Sequence, residues 1–128
     1  MNSKLLFFSC ILILILNTLC QADSPCMPNM PASEKWTQGE YGSHFINALN
    51  HWKKHGAEFP ELNSFESYLC AAYHFTHQPI PGTLQSIAAN GDHLFYNPNT
   101  NTFAATNEKG VPRTFFKPSE KINYWYKQ

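Results

Sequence analysis

Residues 83–116, TLQSIAANGDHLFYNPNTNTFAATNEKGVPRTFF, decide the fold. Thr83 to Ala88 alternates apolar with polar residues, the period-two pattern of a strand with one buried face. Asn90-Gly91 is a two-residue hairpin signal, and His93-Leu94-Phe95-Tyr96 follows as the returning strand. Asn97-Pro98-Asn99-Thr100 turns the chain into a third strand from Thr102 to Ala105. Glu108-Lys109-Gly110 turns it again into a fourth, Pro112 to Phe116. Four short strands joined by tight turns make an antiparallel meander.

Upstream of this stretch the period changes. Between Glu40 and Lys54, the residues Phe45, Ile46, Leu49 and Trp52 form the stripe of an amphipathic helix, which Gly56 and Pro60 stop. A second helix is expected from Asn63, with Asn63 as N-cap and Glu66 three residues on completing a capping box. Its apolar content is Phe65, Tyr68, Leu69, Ala72, Tyr73 and Phe75, and Pro79 with Pro81-Gly82 ends it. Helices first and hairpins afterwards specify an α+β domain, two N-terminal helices packed on one face of the four-stranded antiparallel meander sheet. Residues 23–38, DSPCMPNMPASEKWTQ, have prolines and no apolar period and read as an extended N-terminal arm. Residues 39–128 are then a single domain.

At the N-terminus, Lys4 leads into a nearly unbroken apolar run from Leu5 to Leu16, the length of a secretory signal and short for a membrane span. Ala22 is a small residue where a signal peptidase needs one. Residues 1–22 are therefore expected to be a cleaved signal peptide, and the protein secreted or periplasmic, with no stable membrane association afterwards. Cleavage removes Lys4 and leaves 106 residues with eight Lys plus Arg against nine Asp plus Glu. A charge of about −1 gives no whole-molecule support to nucleic-acid binding, which must then rest on a local patch. Cys10 and Cys20 leave with the signal. Cys26 and Cys70 remain, and in an oxidising compartment they are expected to pair, closing a loop of roughly 45 residues worth roughly 3 to 4 kcal/mol. The alternative is two free thiols.

Three groups of residues compete for the chemistry. The first is HWKKHGAEF, residues 51–59, where Lys53, Lys54 and His55 occupy a last helical turn. Cations are favoured there by the helix dipole alone, so a plain helix end is one reading. The second is a zinc site from His44, His51 and His55, which share a helical face; Trp52 stands where the H-E-x-x-H pattern has glutamate, and no further ligand is evident. His74 and His77 read as the exposed edge of the second helix. The third joins His55 to the last strand, where Arg113, Thr114, Phe116 and Lys117 lie close in sequence. Alternation puts Arg113, Phe115 and Lys117 on one face and Thr114 and Phe116 on the other. A proton-transferring imidazole, cations and a hydroxyl are the parts that metal-free RNA cleavage requires.

HWKKHGAEF, YLCAAYHF, GDHLFYNPNTNTFAATNEKGVPRTFFKP and the closing YWYKQ, taken in order, resemble the C-terminal nuclease domains of bacterial polymorphic toxins. These are the domains of contact-dependent inhibition and Rhs proteins, similar to the tRNA-cleaving domain of colicin D and grouped by fold with barnase, EndoU and RelE. The resemblance covers roughly residues 44–128 and implies His55 as catalytic acid/base with Lys54 as the adjacent phosphate-binding lysine. Trp52 departs from the colicin pattern, where a further lysine stands, and Lys53 is the substitute. Thr114 falls at a serine position and Phe116 at a tryptophan position able to stack on a base. Arg113 and Lys117 join the substrate-binding residues on their own chemistry.

The function expected from this resemblance is a secreted, metal-independent endoribonuclease acting on RNA, tRNA included. The 2′-OH would attack to leave a cyclic phosphate, without metal or cofactor. Its expected state is a monomer, with a cognate immunity protein as partner. A rival reading keeps the scaffold and drops the catalysis: an exported binding module that holds a protein through Phe115, Phe116, Tyr124, Trp125 and Tyr126. A zinc-dependent hydrolase is the third.

Overall fold

A computed structural model describes residues 29–128. The signal segment and Cys26 lie outside the described residues. Helix α1 spans Ala32–Lys35, α2 His44–His55, α3 Phe65–His77 and α4 Ile122–Tyr126; strands β1 Leu84–Ile87, β2 His93–Asn97, β3 Thr102–Thr106 and β4 Pro112–Phe116 lie between α3 and α4. The sheet is antiparallel in the order β1-β2-β3-β4. This is the α+β meander that the alternation and turn residues specify.

Local chemistry places the helix ends. Ser43 caps α2 by accepting from the Ile46 backbone, and a 3₁₀ turn at Gly39–Tyr41 occupies the start of the expected helix. Helix α3 begins one residue later than expected. Ser64 is its N-cap and Ser67 closes the capping box, in place of Asn63 and Glu66. A serine pair serves because each short hydroxyl reaches the other residue's backbone N–H, with spans of 3.1 Å both ways.

The Asn90-Gly91 turn is one residue longer than a two-residue hairpin. Ala88 accepts from the Gly91 backbone and donates to Asp92, and Gly91 takes a left-handed φ of 87°. A three-residue loop with glycine in that position matches strand twist as well as the shorter turn. The turn from Asn107 to Val111 repeats the same bonds, with Gly110 in the left-handed role.

The stretch read as an extended arm contributes to the body. Within it α1 forms one helical turn, and Trp36 is completely buried against His51 and Tyr68. Proline content hid this, because a single aromatic anchor leaves no period to detect. Trp36, Tyr68, Leu69, Phe59, Phe95 and Phe115 form the core between α2, α3 and the sheet. On the outer face, Leu94, Tyr96, Phe103 and Ala105 are covered by Ile122, Tyr124 and Trp125.

The two sheet edges differ. Along β4 the Tyr68 hydroxyl donates to the Phe115 carbonyl, Thr37 N–H donates to Pro112 and Glu58 accepts from Lys117 N–H. Along β1 all four residues are exposed. The capped edge lies against the end of α2, and it positions the candidate site.

Candidate functional site

Helix α2 ends at His55, and the chain runs directly into a tight turn, Gly56–Glu58. Gly56 permits it, since a Cβ there would sit 2.4 Å from the Trp52 ring. The turn returns Glu58 to His55. Glu58 Oε2 lies 2.6 Å from His55 Nδ1, and Glu58 Oε1 accepts from the Lys117 backbone N–H at 2.8 Å. One carboxylate thus ties the end of α2 to the end of β4. Because an ionised carboxylate only accepts, His55 Nδ1 carries a proton, and in the neutral ring Nε2 keeps the lone pair. Among the described residues Nε2 has no hydrogen-bond partner.

The His55 ring stacks on Phe116, with centroids 5.1 Å apart and planes 27° from parallel. Phe116 in turn packs on Phe103 at 5.3 Å and edge-on against Tyr124 at 5.4 Å. It is half-buried and orients the imidazole. Lys53 and Lys54 are exposed on the same last turn. His51, one turn earlier, is different: it lies between Trp36 and His55, and its buried Nδ1 has no partner among the described residues. Burial first, then the electrostatic effect of its neighbours His55 and Lys54, lowers its pKa to about 4. His51 is thereby a neutral packing residue at neutral pH.

The last strand divides its residues between two places. Thr114 and Arg113 both line a cavity of about 460 Å³ on the outer face, beside Leu94, Phe103, Ala105 and Tyr124. Simple alternation put them on opposite faces. The correction comes from a bulge: Ala105 pairs with Thr114 and Thr106 with Pro112, so Arg113 is the extra residue. Its Nη1 donates to both oxygens of Asp92, at 2.9 and 2.7 Å. The Thr114 hydroxyl bonds to none of the described residues. Lys117 goes elsewhere. Its ammonium donates to the Thr100 carbonyl and lies 5.1 Å from the centre of the Phe59 ring, at a groove beside Phe115.

His44 bonds the Trp36 carbonyl through Nδ1. Among the described residues, no group of three or more His, Cys, Asp or Glu is arranged to hold a metal ion. His74 and His77 are exposed, and the His77 ring stacks on Tyr73 at 3.8 Å. Cys70 is disulfide-bonded. It is the one cysteine of residues 29–128, so its partner lies outside the described residues. Of the five late aromatics, Phe115 is buried, Phe116, Tyr124 and Trp125 are half-buried, and Tyr126 is exposed.

Two residues of this site were missed in the sequence, Glu58 and Asp92, while Tyr124 was named there only as one of the late aromatics. Glu58 had a signal, an acid three residues after His55 across a glycine. Asp92 had a weaker one, following Asn90-Gly91 on a turn. What the site holds is one oriented imidazole with exposed cations beside it, the parts of a proton-transfer site, while Thr114 lines the outer-face cavity instead. Compared with known proteins, the chain matches no family model and no curated sequence.

Proposed function

We propose that the protein is an exported, metal-independent endoribonuclease with His55 as its proton-transfer residue. One observation carries this reading: Glu58 holds His55 Nδ1 while binding Lys117 N–H, which aims a free Nε2 from a rigid junction of helix and strand. In the reaction, Nε2 takes the proton of the ribose 2′-OH, whose oxygen bonds to phosphorus. The bond from phosphorus to the 5′-oxygen breaks, and that oxygen leaves with the proton from the imidazolium. The products are a 2′,3′-cyclic phosphate and a free 5′-hydroxyl, with no water consumed. Lys54 and Lys53, exposed beside His55, supply positive charge to the phosphate.

The support is local, which suits a chain with no overall positive charge. Cleavage of total RNA and tRNA by the purified protein in excess EDTA tests it. His55→Ala should lose at least about a hundredfold in rate while keeping the circular dichroism spectrum of the parent. Full activity in that variant overturns the assignment. Expressed without residues 1–22, the parent should arrest growth, and a cognate immunity protein should relieve the arrest.

A further inference from the structure

The cavity beside Thr114 has no role in the proton transfer just described. Among the described residues that line it, Asp92 and Arg113 carry the charged side chains, and they pair with each other. A phosphate would find no net positive charge there. Leu94, Phe103 and Ala105 give it an apolar floor with the Tyr124 ring at its side, and Asn90, Thr114 and Gln128 add uncharged polar side chains, a lining that suits an uncharged flat ring. The cavity adjoins the reacting centre, since Phe103 and Tyr124 both touch Phe116 and Phe116 carries His55.

We infer that this cavity binds a guanine base of the RNA next to the cleaved bond, an inference that rests on the ribonuclease reading for the strand it belongs to. The polar groups select the base. Arg113 uses only Nη1 on Asp92, leaving Nε and Nη2 as donors in the fork geometry that fits guanine O6 and N7. Asp92 is held in place by Asn90, whose Nδ2 donates to Oδ2 at 3.0 Å and whose Oδ1 accepts from the Asp92 N–H. Its Oδ1 takes one contact from Arg113 and so keeps room for one further donor, from the guanine N1–H and N2–H₂ edge. Adenine turns a donor, N6–H₂, to the place of guanine O6 and leaves the Arg113 fork half used, and a pyrimidine covers less of the apolar floor than a purine does. Two anchored groups of opposite sign, side by side above an apolar floor, thus read a base that offers donors beside acceptors.

The test is binding of guanosine, adenosine, cytidine and uridine 3′-monophosphates to the full-length protein, followed by calorimetry. Guanosine 3′-monophosphate should bind roughly ten- to a hundredfold more tightly than the others. Arg113→Lys keeps the charge and loses the fork, and it should abolish that preference while near-ultraviolet circular dichroism stays unchanged. Asp92→Asn should do the same. Equal affinity for the four nucleotides, or a guanine preference that survives in folded Arg113→Lys protein, overturns the inference. Mapping cuts in a defined RNA separates the two readings. Cleavage indifferent to guanine leaves the ribonuclease standing and removes the guanine site, whereas selective guanosine binding without RNA cleavage supports the site and overturns the ribonuclease.

Discussion

At His55 one ring nitrogen, Nδ1, is held by Glu58, and the ribonuclease reading gives the other to proton transfer. Glutamine at position 58 offers one carbonyl oxygen where the carboxylate offers two acceptors, so either His55 Nδ1 or Lys117 N–H loses its partner. On the ribonuclease reading, Glu58→Gln should lower kcat roughly a hundredfold through misplacement of the imidazole, with KM little changed. A rise in KM at constant kcat would assign Glu58 to substrate binding instead. His51 makes a separate prediction about stability. Its pKa is about 4 folded against 6.5 as the ordinary value, so between those limits the unfolded chain binds more protons. Stability from this group is full above pH 6.5 and falls as pH drops toward 4, by about 2 kcal/mol at pH 4.5, with less where water reaches the ring. His51→Phe should flatten that slope in urea unfolding, and equal slopes for both proteins would refute the origin in His51.

At the scale of elements, the turn after α2 carries the site. Gly56→Ala puts a methyl group 2.4 Å from the Trp52 ring, and relieving that overlap must move either the ring or the Gly56–Glu58 turn. The expected cost is about 1 to 3 kcal/mol, accompanied on the ribonuclease reading by loss of RNA cleavage because Glu58 is displaced from His55. Unchanged thermal stability would show that the ring can yield. By contrast, Leu84→Thr on the exposed β1 should change stability by less than about 0.5 kcal/mol. The strands were legible because period-two alternation and glycine turns are local signals. What escaped was set by contacts distant in sequence or by a single residue. Trp36 is an anchor without a repeat, and the bulge at Arg113 is an irregularity that alternation cannot encode. Ser64 and Ser67 displaced Asn63 and Glu66 because both pairs fit the same capping spacing. His55 was legible by its residue type and neighbours. Its orienting acid was in view three residues on, but the bond to Lys117 N–H depends on how α2 meets β4.

At the scale of the whole molecule, one sheet separates two apolar clusters, and β4 belongs to both. Phe115 points into the helical side, while Phe116 points to the outer side with Phe103 and Tyr124. The outer cluster is small and depends on the five-residue helix α4, where Trp125 lies parallel to Tyr96 at 6.2 Å. Trp125 is only half-buried, so Trp125→Ala should cost less than a core tryptophan, about 2 kcal/mol. Because β2, β3 and β4 form part of both clusters, loosening α4 cannot melt one side and leave the other intact. The variant should therefore unfold in urea in a single transition, with near- and far-ultraviolet circular dichroism coincident and the midpoint lowered. Two separated transitions would mean that the outer cluster is an independent unit. In that case the coupling from α4 through Tyr124 and Phe116 to His55 would not hold the imidazole in place.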